Sequence, residues 1–384
     1  MKVAVLGYGT VGAGVYSMLS DAPGMEAGPV IVRPGKAVES FMVSDAALIF
    51  GDPTVDAVVE TLGGLDPAYS YGMRALEAGK HFITANKVMV ASHGLELAAL
   101  AREKGAAFLF SAACGGGVPF LHNLALSAET DRIEAVSGIL NGTTNYMLDA
   151  MQRRSLSYGD ALREAQSLGY AESDPTADVS GLDALRKMQL ACAVAFGVLP
   201  QSGMLCEGME HFTAADVEDI QSRGLVCRLM ARGSRAGESV SAYVEPVLFP
   251  RAAPESSVFT NNNMASYTGK RCGSIVLMGQ GAGRFPTASA VLRDLSAAQQ
   301  GARSMFPENC RAAEADNREA VHSYYIRTGG FAAVRLSLRS VLAQGEVVRA
   351  VTEPMSAEKM HALAQNIRKD GNDLFFAALE EELC

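Results

Sequence analysis

The sequence predicts an α/β protein whose N-terminal part is a doubly wound parallel sheet. Two observations carry this prediction: short apolar runs alternate with helical stretches over about the first 110 residues, and a glycine-rich turn follows the first run directly. Buried strands separated by helices are typical of a parallel sheet that is covered on both faces. The chain of 384 residues, 48% hydrophobic, is long enough for two or three domains with substantial cores.

The first strand is predicted at residues 2–6, and a helix is predicted to run to Leu19. Between them lies a G-x-G-x-x-G turn that contributes Gly7, Gly9, Thr10, Val11 and Gly12. Glycines at these positions let backbone N–H groups approach a pyrophosphate at a helix N-terminus, which predicts a Rossmann-type dinucleotide site. The alternative is an ordinary strand–helix turn.

Further strands are predicted at 30–32, 57–61, 81–84 and 107–110, with helices at 67–79 and 91–104. Arg33 and Lys36 follow the second strand, where a dinucleotide fold usually carries an acid for the ribose hydroxyls. Two cations there suit a 2′-phosphate, which favours NADP over NAD, although NAD remains possible. The alternative is a solvated basic turn.

The regular alternation of apolar runs and helical stretches ends at the glycine-rich segment 111–119, which we interpret as a domain boundary. Mixed strands and helices beyond it predict an α+β domain. The tail alternates between strand and helix, with a helix at 332–343, a strand at 346–352 and a helix at 357–368. We therefore predict three domains: a dinucleotide-binding domain at 1–110 that is completed by about 281–317, a catalytic and dimerisation domain at 111–280, and a small α+β module at 318–384.

Charge and cysteine usage exclude several classes of protein. The net charge is −9 with no basic block, which argues against nucleic acid as a partner. No apolar run reaches the roughly 18 residues of a membrane span. The seven cysteines are scattered without a Cys-x-x-Cys pair, which argues against a disulfide scaffold or a zinc site. We expect a soluble cytoplasmic protein whose chemistry depends on Lys, Asp and Glu.

The densest cluster of chemically active residues lies between 165 and 187. We predict one helix from about 178 to 196, in which Asp183 and Lys187 are four residues apart and share a face. A lysine held by a carboxylate is suited to donating or accepting a proton. Glu172 and Asp178 lie just before this face and could hold an ammonium group. The alternative is a solvated helix start with an ordinary ion pair.

This cluster resembles, position by position, the diagnostic motif of homoserine dehydrogenases. Other motifs of that family occur in the same order, so that the resemblance spans about residues 1–300; they lie at 7–12, 61–64, 84–87, 141–146 and 281–291. The resemblance implies reversible hydride transfer between NADPH and L-aspartate 4-semialdehyde, which gives L-homoserine on the route to threonine, methionine and isoleucine.

The resemblance also implies a role for each residue. Lys187 matches the catalytic lysine, Asp183 its orienting neighbour, and Lys87 the lysine between cofactor and substrate. Further residues match other functional positions of the family. Glu172 and Asp178 match the positions that hold the substrate's ammonium group, and Thr143 and Tyr170 match positions that line the substrate pocket. Gly283 matches the turn that returns the chain to the cofactor domain.

Two further expectations follow from the resemblance. The backbone carbonyls of Cys114, Gly116 and Val118 match a sodium or potassium site, but Ser111 stands where the family usually has a glutamate. The tail has the element order of an ACT-type regulatory module, with residues 329–331 as a weak counterpart of its ligand loop, which makes threonine feedback a hypothesis. Independently of the resemblance, we expect a homodimer, because an apolar helix–strand second domain of this kind commonly buries a face against a second copy.

Two other functions remain open at this stage. One is a related amino-acid dehydrogenase on the same fold, which substrate screening would distinguish. The other is a non-catalytic NADP-binding sensor. The presence of Asp183, Lys187 and Lys87 argues against a sensor.

Overall fold

The structure is a computed structural model, and it describes residues 1–333 and 335–380, with the side chain of Phe331 outside the description. Cys384 and the end of the predicted C-terminal module therefore lie outside the described residues. The chain divides into two compact units: unit 1 comprises Met1–Arg132, Gln189–Leu199 and Gly279–Arg311, and unit 2 comprises Ile133–Met188, Pro200–Met278 and the rest from Ala312. No helix in the described ranges is long and apolar enough to cross a bilayer.

Unit 1 contains a six-stranded parallel sheet with the order β3-β2-β1-β4-β5-β6. This order reverses direction at β1 and β4, as it does in doubly wound folds, so the predicted fold class is confirmed. Its elements, in chain order, are β1 (Lys2–Leu6), α1 (Thr10–Leu19), β2 (Glu26–Ile31), β3 (Met42–Val43), α2 (Ala47–Phe50), β4 (Ala57–Glu60), α3 (Ala68–Glu77), β5 (His81–Thr84), α4 (Lys87–Lys104), β6 (Phe108–Leu109) and α5 (Phe120–Thr130).

The central strands of this sheet are apolar because helices cover both faces. Val3, Ala4, Val5 and Leu6 of β1 are fully buried, although successive side chains point to opposite faces. This is why the strand reads as a continuous apolar run in the sequence.

The next part of the chain builds most of unit 2. Its elements are β7 (Ile133–Ile139), α6 (Gly142–Arg154), α7 (Tyr158–Ser167), α8 (Thr176–Val179), α9 (Leu182–Phe196), β8 (Val198–Ser202), β9 (Leu205–Cys206), α10 (Ala214–Ser222), β10 (Leu225–Ala236), β11 (Ser239–Pro250), β12 (Asn262–Gly269) and β13 (Gly273–Gln280). The helix α11 (Arg284–Gln299) then belongs to unit 1, where it packs against α1.

The C-terminal part of unit 2 contributes four strands to a ten-stranded sheet. Its elements are β14 (Arg311–Glu314), β15 (Val321–His322), β16 (Tyr324–Gly329), α12 (Gly330–Ala333), β17 (Leu338–Ala343), β18 (Val347–Thr352), β19 (Met355–Ser356), α13 (Ala357–Lys369) and β20 (Leu374–Leu379). The ten-stranded sheet has the order β13-β12-β7-β10-β11-β20-β16-β18-β17, with β9 also paired to β11. The strands β14, β15 and β19 belong to two small two-stranded sheets.

Six elements of this C-terminal part follow a β-α-β-β-α-β order, which is a ferredoxin-like arrangement: β16, α12, β17, β18, α13 and β20. Its last strand, β20, pairs in parallel with β11, so the module shares one sheet with the rest of unit 2. The core is shared as well, because Val247 and Phe249 belong to the same buried cluster as Ile326 and Phe376. The ACT-like assignment itself is not confirmed.

Two predicted helices are wrong. Residues 332–343 form the short helix α12 and the strand β17, which pairs with β18. The predicted helix from 178 to 196 is divided into α8 and α9 by Gly181, which has a φ of +84°. Because only glycine adopts that backbone conformation at little cost, the helix ends there and a new one begins.

Candidate active site

The predicted lysine–aspartate pair is formed at the start of α9. Lys187 Nζ lies 2.6 Å from Asp183 Oδ2, and it also donates a hydrogen bond of 2.6 Å to the carbonyl oxygen of Leu140. Both charged side chains are only 12% exposed. An ion pair so well screened from water fixes the amine in one position, where an exposed pair would leave it mobile.

Asn141 joins this pair to Asp178. The strand β7 ends just before Asn141, whose side-chain oxygen accepts a hydrogen bond from Thr144 N at 2.8 Å and caps α6. Its Nδ2 donates to Asp183 Oδ2 at 2.8 Å and to Asp178 Oδ1 at 2.7 Å. One amide therefore holds two carboxylates that lie on two separate helices.

Asp178 belongs to the same cluster and is only partly buried. Thr143 Oγ1 lies 3.1 Å from Asp178 Oδ2 and 2.6 Å from the carbonyl oxygen of Tyr170. Burial raises the pKa of Asp178, and the nearby charge of Asp183 adds to this effect, while hydrogen bonds from Asn141 and Thr143 oppose it. A carboxylate that is costly to leave unpaired is well suited to receive a cationic ligand.

Glu172 is the predicted residue that the structure does not bring into this cluster. It is exposed, and its described contact is a main-chain one, in which the carbonyl oxygen accepts a hydrogen bond from Gln166 Nε2 at 3.1 Å. Tyr170 is also exposed, and its ring makes an edge contact with Tyr146 at a centroid distance of 5.1 Å.

Sequence reasoning missed two members of the cluster, Asn141 and the carbonyl of Leu140. Asn141 lies in the family motif at 141–146, which by itself indicates no role for its side chain. The available signal was its place between a strand and a helix, where an asparagine caps the helix and still has its amide N–H groups free for other partners.

In unit 1, the glycine-rich turn has the geometry that the sequence predicts for a dinucleotide loop. Gly7 has a φ of +100°, and α1 begins at Thr10. A Cβ atom on Gly12 would lie 2.1 Å from the carbonyl oxygen of Gly7, so only glycine fits. The loop is further held by Thr61 Oγ1, which donates to the Leu6 carbonyl at 3.0 Å.

A buried hydrogen-bond network holds the N-terminus of α4, whose first residue is Lys87. Glu60 at the end of β4 is fully buried; it accepts hydrogen bonds from Leu62 N at 2.6 Å and from Thr84 Oγ1 at 2.5 Å. Asn86 caps α4 and donates to the Gly64 carbonyl at 2.5 Å. Burial raises the pKa of Glu60, although these hydrogen bonds oppose the shift. Glu60 and Asn86 were not predicted as site residues.

The two predicted cations of the cofactor site follow β2. Arg33 and Lys36 are exposed, and Lys36 N donates to the Arg33 carbonyl at 3.0 Å in a turn. This is the strand end where dinucleotide folds hold the adenosine ribose.

The segment 111–118 packs in unit 1 against α11, which is preceded by Gly283. Gly117 N donates to the Gln280 carbonyl at 3.0 Å. Ser111 N and Oγ donate to Asp294 Oδ2 and Oδ1 at 2.8 and 2.6 Å, and both residues are buried. Burial raises the pKa of Asp294 to about 7. In the described part of the chain, no group of three or more His, Cys, Asp or Glu side chains could hold a metal ion.

Comparisons with known proteins agree with this picture. A family model described as "Homoserine dehydrogenase, NAD binding domain" matches residues 7–111, and the model "Homoserine dehydrogenase" matches residues 119–296. A homoserine dehydrogenase of Synechocystis is 37% identical over 319 residues, covering 77% of this chain and 72% of the relative. One from Corynebacterium glutamicum is 38% identical over 314 residues, covering 76% and 70%.

A solved structure shows the same fold along the whole chain. The homoserine dehydrogenase of Thiobacillus denitrificans superposes with a TM-score of 0.88 at 29% identity, covering 100% of this chain and 99% of the other. The fold and site define a nicotinamide-dinucleotide-dependent oxidoreductase. The chain belongs to the homoserine dehydrogenase family. The resemblance predicted from the sequence is confirmed, and the two alternative functions are not favoured.

Proposed function

We propose that the chain catalyses the reversible interconversion of L-aspartate 4-semialdehyde and L-homoserine, with hydride supplied or accepted by a nicotinamide dinucleotide. The observation that carries the proposal is the buried Lys187–Asp183 pair, because this reaction needs one proton at the substrate oxygen for each hydride that is transferred.

Lys187 is the proposed proton donor. Its ammonium group releases a proton to the aldehyde oxygen as hydride reaches the aldehyde carbon, and in the reverse direction its amine accepts the hydroxyl proton. Asp183 and the Leu140 carbonyl hold Nζ in place from one side. A preorganised cation close to the oxygen also stabilises the negative charge that develops there.

The substrate's ammonium group is proposed to bind at Asp178, together with Glu172. Asp178 is already oriented by Asn141 and Thr143. Its raised pKa, caused first by burial, falls when an ammonium group arrives, so binding favours the ionised carboxylate. Thr143 and Tyr170 are proposed to line the pocket, and Lys87 is proposed to contact the cofactor and stabilise charge during transfer.

The test of this proposal is substitution of Lys187. We expect Lys187→Ala to lose turnover by about a hundredfold to ten-thousandfold, the usual contribution of a general acid. Lys187→Arg keeps the charge but holds its proton too tightly, so it should not restore the rate. NADPH binding, measured by fluorescence titration, should be nearly unchanged in both variants.

A control for this test is Lys270→Ala, which removes an exposed lysine of unit 2. Turnover close to that of the wild type in Lys187→Ala would overturn the assignment.

The finer assignments are proposals as well. NADP is favoured by Arg33 and Lys36 at the end of β2, where no acid opposes a 2′-phosphate. Assembly as a homodimer is supported by the exposed apolar side chains of Val276 and Met278 on β13, an edge strand of the large sheet. The proposed pathway is the synthesis of threonine, methionine and isoleucine, and the cytoplasmic location stays a prediction.

The monovalent-cation site fits the structure poorly. The proposed ligands are the carbonyl oxygens of Cys114, Gly116 and Val118, but the Val118 oxygen already accepts a hydrogen bond from Phe120 N at 2.7 Å. The Ser111 hydroxyl is directed to Asp294, so Ser111 does not replace the family's charged ligand. A hard cation without a carboxylate ligand binds weakly, and we derive no step through it. Rates in choline chloride, compared with sodium or potassium chloride, test this point.

A further inference from the structure

The strand order of the parallel sheet in unit 1 reverses direction between β1 and β4. In doubly wound folds a dinucleotide lies in the crevice outside the carboxyl ends of the strands at this point, and each half of it lies over one half of the sheet. Glu60 is the last residue of β4, and its side chain is fully buried. A buried acid therefore lies at the edge of the sheet where such a crevice opens.

The Glu60 carboxylate joins the segments that follow two neighbouring strands. In residues 61–64, which we call the β4 loop, Leu62 N donates to Oε1 at 2.6 Å and Gly63 N donates to the same oxygen at 3.3 Å. Thr84 Oγ1, at the end of β5, donates to Oε2 at 2.5 Å. Because both oxygens of a carboxylate accept hydrogen bonds, this single side chain connects the β4 loop to β5.

The same network continues into the N-terminus of α4. Thr84 Oγ1 accepts a hydrogen bond from Asn86 N at 2.9 Å, and Asn86 Nδ2 donates to the carbonyl oxygen of Gly64 in the β4 loop at 2.5 Å. Asn86 Oδ1 accepts from Met89 N at 3.1 Å and caps α4. The contacts form a closed ring, so a change at Glu60 reaches both the β4 loop and the start of α4.

The β4 loop packs against the glycine-rich turn on one side. Thr61 Oγ1 lies 3.3 Å from the carbonyl oxygen of Gly7, and a Cβ atom on Gly7 would lie 3.1 Å from Leu62 Cδ2. Elsewhere the loop is open, because no described atom beyond the chain neighbours lies within 4 Å of a Cβ atom added to Gly63 or Gly64. Both glycines are exposed and have a φ of +74°. The backbone of the β4 loop therefore leaves room for a ligand to approach closely, beside the turn expected to hold the pyrophosphate.

An acid at this buried position costs stability. Burial raises the pKa of Glu60, and the hydrogen bonds from Thr84, Leu62 and Gly63 oppose this shift. An amide side chain would avoid the desolvation of a charge, but it accepts through only one of its two terminal atoms. Only a carboxylate accepts from the β4 loop with one oxygen and from β5 with the other, and so fixes the separation of the two segments.

We propose that Glu60 is a positioning residue for the nicotinamide half of the cofactor. It acts through the β4 loop and through the N-terminus of α4, which carries Lys87, and it touches no reacting atom itself. The adenosine half is expected over β1 and β2, and within the described residues no hydrogen bond joins the Glu60 side chain to either strand end. This inference rests on the proposed function, because it takes a nicotinamide dinucleotide as the cofactor.

The test compares the whole cofactor with its adenosine half, using the full chain. NADPH binding is measured by fluorescence titration, and binding of adenosine 2′,5′-bisphosphate by calorimetry; NADH and ADP replace this pair if the wild type binds NADH more tightly. We expect Glu60→Gln to weaken NADPH binding by about tenfold, because its amide donates where Thr84 already donates. Binding of the bisphosphate should stay within about twofold of the wild type. Equal weakening of both ligands, or unchanged NADPH binding, would contradict the proposal.

Variants of Thr84 test whether the effect passes through the hydrogen-bond network. Thr84→Ser keeps the hydroxyl donor and should bind NADPH like the wild type, whereas Thr84→Val removes the donor and should weaken binding as Glu60→Gln does. The double variant should lose little more than either single variant, because both substitutions break the same contact. Fully additive losses in NADPH binding would refute the shared network.

The matched control is Asp52→Asn. Asp52 lies before β4, at the opposite edge of the sheet, and its Oδ1 accepts hydrogen bonds from Thr54 N at 2.8 Å and from Thr54 Oγ1 at 2.7 Å. It is also an acid that holds a backbone segment, so both ligands should bind to this variant as they bind to the wild type. Thermal unfolding shows whether each variant is folded. A wild type that binds NADPH but does not oxidise L-homoserine would refute the proposed function and leave the result for Glu60 intact, because the test measures binding.

Discussion

Asn141 is the residue on which the geometry of the candidate active site depends most. It holds Asp178 and Asp183 through one amide and caps α6 through its oxygen. Aspartate at this position keeps the cap, because its carboxylate accepts the same backbone hydrogen bond. It cannot donate to the two carboxylates, and it adds a third negative charge beside them.

We therefore expect Asn141→Asp to lower kcat by about tenfold to a hundredfold, the cost of lost hydrogen bonds to charged groups. The added charge should also move the acidic limb of the pH profile of kcat to higher pH, because it raises the pKa of the neighbouring carboxyls. Steady-state rates as a function of pH measure both effects.

The control is Asn145→Ala in the same helix. Asn145 Nδ2 donates to the carbonyl oxygens of Val258, Thr260 and Asn262, and it makes no described contact with the carboxylates. This variant should lower the melting temperature and leave the pH profile unchanged. An unshifted profile in Asn141→Asp would show that Asn141 is only structural.

The Lys187–Asp183 pair could be predicted from the sequence because four-residue spacing on a helix is a local relationship. The Asn141 contacts could not, since Asn141 lies far from Asp178 and Asp183 along the chain, and their meeting depends on how β7, α8 and α9 pack. Glu172 shows the converse: it lies close in sequence to Asp178, but no described contact joins its side chain to the cluster, so its proposed role stays a prediction.

Asp294 makes the free energy of unfolding depend on pH, and the direction of that dependence follows from its raised pKa. Its pKa is about 7 in the folded chain, because of burial, against about 4 for an ordinary aspartate. Between these two values the folded state holds a proton that the unfolded state has released. The free energy of unfolding therefore falls as pH rises from about 4 to 7, by a few kcal/mol at most, and is level above that range.

Asp294→Asn should remove this slope, because an amide keeps a partner for both Ser111 groups without titrating. Urea unfolding at several pH values measures the slope. Glu77→Gln, an exposed substitution in unit 1, should keep it. A slope that survives in Asp294→Asn would mean that another group is responsible.

At the scale of elements, two glycines of the glycine-rich turn are needed for different reasons, Gly12 for folding and Gly9 for binding the cofactor. Alanine at Gly12 would place its Cβ 2.1 Å from a backbone oxygen, so we expect Gly12→Ala to lower the free energy of unfolding by about 1–3 kcal/mol, as overpacking does. At Gly9 nothing lies within 4 Å of such an atom.

Gly9→Ala should therefore leave stability unchanged and weaken NADPH binding by about tenfold, because the second glycine of the motif allows the backbone to approach the pyrophosphate. Chemical denaturation and a cofactor titration on both variants separate the two effects. Equal stability losses would refute the distinction.

Most strands and helices of unit 1 could be predicted, because an apolar run followed by a helical stretch is a local signal. The failures have physical causes. The helix predicted at 332–343 contains leucines and valines at spacings that suit either structure, and pairing of β17 with β18 decides for the strand. The helix predicted at 178–196 passes through Gly181, whose positive φ is not visible from composition.

At the scale of the whole molecule, the C-terminal strands of unit 2 share a buried cluster with β10 and β11 among the described residues. Phe376 on β20 is fully buried in the cluster that contains Val247 and Phe249 of β11. We expect Phe376→Ala to destabilise unit 2 as a whole by about 3–5 kcal/mol, in one cooperative transition. Phe259→Ala, at an exposed site in the same unit, should cost less than about 1 kcal/mol.

Calorimetry and hydrogen exchange check this prediction. Loss of protection in both β11 and β20 at the same free energy supports a shared core. Early loss confined to residues 318–380 would show that the C-terminal module unfolds independently.

The interleaving of the two units along the chain has a consequence for biosynthesis. Unit 1 needs α11 and the residues up to Arg311, and Phe108 N at its sheet edge donates to the carbonyl of Arg303. A ribosome must therefore translate past position 311 of 384 before the nascent nucleotide-binding fold can be finished. Until then the sheet edge at Phe108 lacks its hydrogen-bond partner, and a chaperone that binds nascent chains can bind at this edge.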